Sequence, residues 1–324
     1  IIYLFLTAIQ GILINFANRK EKYNSIAVGD VSSGFAQGSL RIVFALLPIK
    51  LNGLIFGTLV ARVYECLYYL LKLKDNFFRY FFKSLSIKRM KTLAIEYKKF
   101  PLYDAPSSLL TFASFNLPVL ILAAVFSKAD VGCYSMVLQI LLLPMSFIGS
   151  AMGKVYYRQI SFLKDETELQ TISKSVLKIS TIIAFFPIVF FTFGGDFILH
   201  LFLGKQWHLA GVLALCLSLW SFPSIILYPL FPVYRHQNKQ NRLFRFNLVF
   251  TLLTIIALIL GIKVWHNVIQ TIVIYSVIGF LIRIIQIKDV LSLCKIEFTS
   301  INKSVIIISV GVLLLWGIRV YFLT

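Results

Sequence analysis

Long apolar runs recur along the whole chain and are separated by short polar segments rich in lysine and arginine. Each run has about 20 residues, which as a helix is long enough to cross a hydrocarbon core of about 30 Å. The runs do not alternate as barrel strands do, and lipid cannot satisfy the open backbone groups of other conformations. The sequence therefore predicts an all-α polytopic membrane protein. Its ten predicted spans cover residues 1–16, 25–47, 51–72, 101–127, 132–155, 176–195, 209–233, 246–263, 268–287 and 304–323.

The lysines and arginines fall mainly in alternate loops of this arrangement. One side holds the connector from Lys72 to Lys99, which carries nine of them, and the basic loops at 158–174 and 235–245. By the positive-inside rule, this side faces the cytoplasm. The first residue then lies outside, in an apolar run that has no basic region and no cleavage site. We therefore expect a fragment that lacks upstream spans, rather than a signal peptide.

Composition agrees with a membrane environment and restricts the partners. Charged residues make up 14% of the chain, where soluble domains carry roughly a quarter. The net charge of +19 could indicate nucleic acid, but the basic residues lie in short loops between apolar spans. We expect membrane lipids as partners and no nucleic acid.

The basic connector divides the predicted spans into two groups. It interleaves aromatic and basic residues at helical spacing, which fits an amphipathic helix on the inner leaflet or a solvated basic linker. We predict the remainder of an N-terminal helical bundle at 1–72, with three spans, and a cytoplasmic linker at 73–100. A C-terminal bundle of about seven spans follows at 101–324.

Ionisable side chains inside predicted spans are the candidates for function, because each costs about 3 kcal/mol unless it meets a wet cavity or a partner. The Gly-rich span at 25–47 contains Asp30 and Arg41, and the next span contains Arg62 and Glu65, which share a helix face. Asp104 follows Pro101 at the start of its span.

Each candidate also has a structural interpretation. Arg62 and Glu65 could form an ion pair that only holds helices together, and Asp30 could cap the start of its helix. Arg41 could extend outward to the headgroups. Lys154 and Arg283 lie near span ends and could do the same on the cytoplasmic side.

Enzyme signatures are missing from the sequence. It contains no GxSxG, no HExxH and no glycine-rich phosphate loop before a helix. The cysteines at positions 66, 133, 216 and 294 are scattered without metal-site spacing and are expected to be small buried hydrophobes. We expect no enzyme activity, no catalytic residue, no metal and no cofactor.

Four segments resemble the bacterial polysaccharide-biosynthesis flippases, of the superfamily that includes multidrug and toxin exporters. Glu96–Tyr157 has a Tyr and Phe-Pro opening a span, then a short turn ending in Val-Gly-x-Tyr, then a Pro-containing span ending in Gly and Val. LFLGKQWHLAG at Leu201–Gly211 and RHQNKQNRLFR at 235–245 match as well. LNGLIFGTLVARVYECL, at Leu51–Leu67, resembles the family's sixth span.

The resemblance implies a fold of two six-helix bundles around a central cavity. Residues 1–16 then correspond to the fourth span, and 304–323 would be a thirteenth where the family usually has twelve. With part of one bundle missing, the isolated fragment is not expected to transport.

The function implied is flipping of undecaprenyl-diphosphate-linked oligosaccharide across the bacterial cytoplasmic membrane by alternating access, for surface polysaccharide such as O-antigen or capsule. The polysaccharide polymerase machinery is a candidate partner. The implied substrate-binding residues are Arg41, Arg62, Lys154, Ser33, Gln37 and Gln139. Those implied for charge tuning or ion coupling are Asp30, Glu65 and Asp104.

Three other functions remain open from the residues. A drug or small-cation exporter would have more acidic than basic residues in its cavity. Here the two bases, Arg41 and Arg62, equal the two acids, Asp30 and Glu65, in number, which does not decide between the functions. A polysaccharide polymerase or ligase would need a large outer loop with catalytic residues, and the predicted outer loops are short. A structural membrane subunit would not need the polar residues of spans 25–47 and 51–72.

Overall fold

The protein consists of helices joined by short turns in the part that its structure, a computed structural model, describes. That part comprises residues 2–20, 22–46, 53–84, 86–163, 165–194, 204–296 and 314–321, with residues 197, 199, 201 and 311. No strand occurs within these ranges. The prediction of an all-α protein is therefore confirmed. The chain divides into two compact units, Ile1–Ile95 and Glu96–Thr324.

The first unit consists of helices α1 (Ile2–Arg19), α2 (Tyr23–Leu46), α3 (Gly53–Ser84) and α4 (Ile87–Glu96). Helices α1 and α2 both pack on α3. The α2–α3 approach is close because a Cβ on Gly57 would lie 2.8 Å from the backbone nitrogen of Arg41. Leu13, Ala17, Tyr69 and Leu73 form the buried core of this unit.

The second unit begins with a π-helical turn, Phe100–Asp104, that leads into α5. Its longer helices are α5 (Ala105–Ala123), α6 (Lys128–Ser161), α7 (Glu166–Thr192), α8 (His208–Leu227), α10 (Gln240–Trp265) and α11 (Val268–Leu293). A 3₁₀ turn, Tyr228–Leu230, and the short helix α9 (Pro232–His236) connect α8 to α10. Residues 314–321 are also helical.

Local sequence determines where several of these helices begin. Ser127 and Asp130 form a reciprocal capping box at the start of α6, which satisfies backbone N–H groups that have no partner within the helix. The Asn267 side chain accepts from the first turn of α11, 2.8 Å from the nitrogen of Ile269. His266 precedes it with a φ of 50°, which reverses the chain between α10 and α11.

Helix α8 is the centre of the second unit. Every residue from Ala210 to Leu227 is buried, and α6, α7 and α11 pack around it. A helix that is apolar on all sides is expected to be surrounded by other helices rather than by solvent. The fully buried Trp220 contacts the rings of Phe115, Phe250 and Tyr275. This ring cluster holds α5, α8, α10 and α11 together.

Five helices in the described residues are long and apolar enough to cross a membrane. They are Phe100–Ala123, Glu166–Thr192, His208–His236, Gln240–Trp265 and Val268–Leu293. The peripheral ones expose large apolar side chains, for example Leu109 and Phe112 on α5 and Leu252 on α10, which in water would be costly. The protein is therefore an all-α polytopic membrane protein, as predicted.

The other predicted spans are not among these five helices. Spans 1–16, 25–47, 51–72 and 132–155 coincide with helices α1, α2, α3 and α6, and their crossing of the membrane stays a prediction. Residues 1, 47, 51 and 52 lie outside the described residues, as does most of the predicted span 304–323.

Much of the predicted linker at 73–100 is helical. Helix α3 continues past the predicted end of its span to Ser84, and α4 follows almost at once. Residue 85 lies outside the described residues, and residues 86–100 are exposed. The boundary between the two units, after Ile95, falls near the end of this segment.

Candidate functional site

A small polar recess of about 150 Å³ lies within the first unit. Its lining residues are Asp30, Ser33, Gly34, Gln37, Ala61, Arg62 and Glu65. The α2 members repeat at intervals of three and four residues and therefore share one face of that helix. The structure thus brings together five of the residues predicted from the sequence, namely Asp30, Ser33, Gln37, Arg62 and Glu65.

Arg62 and Glu65 form the ion pair that their spacing predicts. Arg62 Nη1 lies 2.9 Å from Glu65 Oε2, and Glu65 is buried. Gln10 of α1 joins the pair, because its amide donates to Glu65 and its carbonyl oxygen accepts from Arg62 Nη1 at 2.5 Å. Arg62 Nη2 also donates to the Tyr3 hydroxyl at 3.0 Å. The pair therefore links α1 to α3, which is the structural role left open by the sequence.

Asp30 does not cap a helix, so that structural interpretation was wrong. Helix α2 begins at Tyr23, and Asp30 lies in its interior. The Tyr69 hydroxyl of α3 donates to Asp30 Oδ1 at 3.2 Å. The carboxylate therefore has a partner on the neighbouring helix and lines the recess at the same time.

Arg41 lies apart from this recess. Its Nε and Nη2 donate to the Thr58 hydroxyl of α3 at 3.2 and 3.1 Å. It is not among the residues that line the recess. The structure therefore places the two predicted substrate-binding arginines, Arg41 and Arg62, at different sites on the α2–α3 pair.

A much larger recess of about 830 Å³ lies within the second unit. Its polar lining residues are Asp104, Ser107, Ser108, Thr111, Gln139, Ser146, Ser150, Lys154, Tyr157, Tyr228, Arg235 and Asn247. Predicted residues Asp104, Gln139 and Lys154 all belong to it. Lys154 and Gln139 lie on α6 and are exposed, so both can reach a ligand in the recess.

Arg235 is a functional candidate that the sequence reasoning assigned to a cytoplasmic loop. Its Nε lies 3.1 Å from Asp104 Oδ2, with the Asp104 side chain 8% exposed and the Arg235 side chain 45% exposed. The pair joins the start of α5 to α9 at the edge of the recess. Its partners are separated by 131 positions, so no local spacing rule could have identified it.

Arg283 is buried directly behind the recess, so the expectation that it snorkels to the headgroups was wrong. Only 1% of it is exposed. Its guanidinium carbon lies 4.0 Å from the Phe250 ring centroid, and Nη1 donates to Gln286 Oε1 at 2.5 Å and to Asn247 Oδ1 at 3.4 Å. Among the described residues, no carboxylate pairs with it.

Asn247 connects this buried cation to the recess. Its amide donates to the Ser107 hydroxyl at 2.8 Å and to the Thr111 hydroxyl at 3.2 Å, and both belong to the α5 wall. Because its carbonyl oxygen accepts from Arg283, the amide orientation is defined on both sides. Arg283 therefore orients the Asn247 amide, and the amide in turn bonds the two wall hydroxyls. The guanidinium itself does not line the recess.

The comparisons with known proteins identify one family. The model of a family described as polysaccharide biosynthesis protein matches residues 2–211, which is more than half of the chain. The match includes α1 to α7 and the start of α8, and with them both predicted groups of site residues. Searches of curated proteins and of solved structures found no match.

Proposed function

Because the chain belongs to the polysaccharide biosynthesis protein family, we propose that it flips undecaprenyl-diphosphate-linked oligosaccharide across the bacterial cytoplasmic membrane. It acts as a transporter and not as an enzyme, and its substrate feeds the assembly of a surface polysaccharide. Alternating exposure of a wet cavity to the two sides would move the substrate. The substrate and the bilayer lipids are the partners proposed.

One observation carries the proposal, namely a large recess in the second unit whose partly apolar walls also carry charged, hydroxyl and amide side chains. A diphosphate and its sugars cannot cross hydrocarbon unshielded, because removing water from such charge costs far more than any single contact returns. The recess of about 830 Å³ is large enough for several sugar rings and opens at the surface of the unit. Its walls can replace water around a polar headgroup.

The chemistry of the walls matches the two parts of that headgroup. Lys154 and Arg235 supply positive charge for phosphate, and an arginine can bind two phosphate oxygens at once. Ser107, Thr111 and Gln139 supply hydroxyl and amide groups for sugar hydroxyls. Since Arg235 is paired with Asp104 in this structure, a phosphate would compete with that carboxylate for the guanidinium.

The recess of the first unit has a supporting role in this proposal. Arg62 is already bonded to Glu65, Gln10 and Tyr3, so it contributes little free charge. Asp30 and Glu65 are the groups proposed to tune the charge of that unit or to take up a coupling ion. Gln37 and Ser33 line the same recess and are proposed as hydrogen-bonding groups for sugar.

The test uses the source bacterium with the gene deleted and then restored. We expect deletion to remove surface polysaccharide and to leave lipid-linked oligosaccharide on the inner leaflet. The wild-type gene should restore export, and Lys154→Ala should reduce it at equal membrane expression. Lys128→Ala is the matched control, because Lys128 is exposed on the same helix and does not line the recess.

Three results would contradict the proposal or its site. Unpolymerised lipid-linked oligosaccharide that accumulates on the outer leaflet after deletion would indicate a polymerase. Normal surface polysaccharide after deletion, with increased sensitivity to cationic drugs, would indicate a small-molecule exporter. Equal export by Lys154→Ala and Lys128→Ala would keep the transport activity but remove this recess from its mechanism.

A further inference from the structure

In addition to the two recesses, a groove of about 520 Å³ runs between α10 and α11 on the outside of the second unit. Its lining residues are Arg242, Arg245, Phe246, Val249, Leu253, Ile282, Ile285 and Asp289. The four α10 positions 242, 246, 249 and 253 repeat at intervals of three and four residues and form one stripe along the helix. Val249, Leu253 and Ile285 are exposed.

The groove has one charged end and one apolar end. Helices α10 and α11 run in opposite directions, since a tight turn at His266 joins them, and Arg242 Nη1 lies 3.1 Å from Asp289 Oδ1. The charged residues therefore meet at one end, while Leu253 and Ile282 mark the other. From residue 242 to residue 253 an α-helix rises about 16 Å. One leaflet of a bilayer has a hydrocarbon depth of about 15 Å.

The charge at the polar end is positive. Asp289 accepts from both Arg242 and Tyr234, so it fixes the Arg242 guanidinium and balances one positive charge. Arg245 is exposed and donates to the Asn241 carbonyl oxygen, and it pairs with no carboxylate in the part of the chain that the structure describes. Arg245, whose charge is not balanced by a carboxylate among the described residues, therefore lies near Arg242, whose guanidinium is fixed by Asp289, at the predicted cytoplasmic end of α10.

The groove is separate from the recess proposed for the substrate. Leu243 and Asn247 line the recess, whereas Arg242 and Phe246 line the groove, so the two sites use different faces of α10. The groove has the length of a single leaflet and a charged end at the predicted membrane surface. A lipid that stays in the inner leaflet fits a groove of this length with its charged end at the surface. A headgroup that is carried across the membrane would instead need a polar path through the membrane interior.

We propose that this groove binds an anionic glycerophospholipid of the inner leaflet. One acyl chain lies along Phe246, Val249 and Leu253, and the phosphate meets Arg242 and Arg245. Basic pockets between membrane helices on the cytoplasmic side are suited to such headgroups. Arg245 supplies the selectivity for a net negative lipid, because a zwitterionic headgroup brings its own positive charge.

The binding is measured by native mass spectrometry of the purified 324-residue chain, equilibrated with phosphatidylglycerol or phosphatidylethanolamine. We expect phosphatidylglycerol to be retained more strongly. A surface arginine near an anionic headgroup contributes about a fivefold change in affinity, so Arg245→Gln should weaken phosphatidylglycerol binding by about fivefold. Lys288→Gln, an exposed charge on α11 outside the groove, should leave it unchanged.

A second pair of variants tests the apolar end. Leu253→Trp fills the groove and should reduce retention of both lipids, whereas Leu260→Trp, equally accessible on the same helix, should not. Phosphatidylglycerol with a photoreactive acyl chain should label positions 246–253 in the wild type. This mapping needs no variant, so it remains decisive if a substitution impairs folding.

The proposal would be overturned by equal losses in Arg245→Gln and Lys288→Gln, or by labelling confined to other helices. Displacement of phosphatidylglycerol by undecaprenyl phosphate would assign the groove to a polyprenyl chain, which also overturns it. Lipid binding is measured without transport. A failure of the polysaccharide assay therefore leaves this inference intact, and the reverse also holds.

Discussion

The Asp104–Arg235 pair should respond very differently to removal of its two partners. The Asp104 side chain is 8% exposed and the Arg235 side chain is 45% exposed. Arg235→Gln would therefore leave a carboxylate buried without its cation. Asp104→Asn would leave a guanidinium that can turn into water. The two substitutions remove the same 3.1 Å contact and differ only in the charge that remains.

The size of the difference follows from the burial of the remaining group. Removing one partner of a buried pair costs about 3–5 kcal/mol. Asp104 lines the recess, where water can reach it, so we expect a smaller cost of about 2–3 kcal/mol for Arg235→Gln. An exposed pair contributes at most about 1 kcal/mol, which is the expected upper limit for Asp104→Asn. The double variant should resemble Asp104→Asn alone, because no unpaired carboxylate is left. Asp104→Asn should thus restore about 2 kcal/mol to Arg235→Gln.

The assay is a double-mutant cycle on the purified chain in mixed micelles. Reversible unfolding by an increasing fraction of SDS gives the free energy of unfolding for the wild type, the two single variants and the double variant. Near-UV circular dichroism confirms that each variant starts from a folded state. Surface polysaccharide of the same variants, at equal expression, reports whether the pair also matters for transport.

Either of two results would contradict this expectation. Equal destabilisation by the two single substitutions, with no recovery in the double variant, would mean that the burial of Asp104 does not determine the energetics. A stabilised Arg235→Gln variant would mean that the carboxylate is neutral or hydrated in the folded protein.

Two further predictions concern helix packing and capping. Gly57→Ala should destabilise the first unit by about 1–3 kcal/mol, because its Cβ would meet the Arg41 backbone at 2.8 Å. Gly38→Ala, with no atom within 4 Å of the new Cβ, should instead be neutral or stabilising in the same unfolding assay. Hydrogen bonds from Thr167 lower the pKa of Asp165. A lowered folded pKa stabilises the start of the helix above the unfolded value of about 3.9. The protection of the first α7 amides, measured as the ratio of intrinsic to observed hydrogen-exchange rate, should therefore decrease as the pH falls below that value. Asp165→Ala should remove this dependence.

The described helices were largely predictable from the sequence, and so was one part of the candidate site. The Arg62–Glu65 pair lies on one helix, so its i, i+3 spacing was sufficient evidence. Gln10, which completes that pair, lies 55 positions away from Glu65 and was not identified. In the second unit, Asp104, Gln139 and Lys154 were predicted, but Arg235 and Asn247, which line the same recess, were not.

Arg283 illustrates why position along a span was a poor guide. Its location near a predicted span end favoured snorkelling, yet the side chain points to Phe250 and Gln286 inside the unit. The turn at His266 brings α10 beside α11, and the resulting interface encloses the guanidinium. Only the packing of α11 against its neighbouring helix could decide between these two directions.

The sequence by itself determined that this is a helical membrane protein, because a bilayer requires each spanning segment to satisfy its own backbone hydrogen bonds locally. Apolar runs of sufficient length therefore carry that information without reference to any neighbour. The tertiary structure decided which polar side chains share a recess, as with Asp104 and Arg235, and which face of α10 lines the substrate recess or the outer groove. These depend on how helices far apart in the chain pack together, and packing is a property of pairs of surfaces rather than of a local pattern.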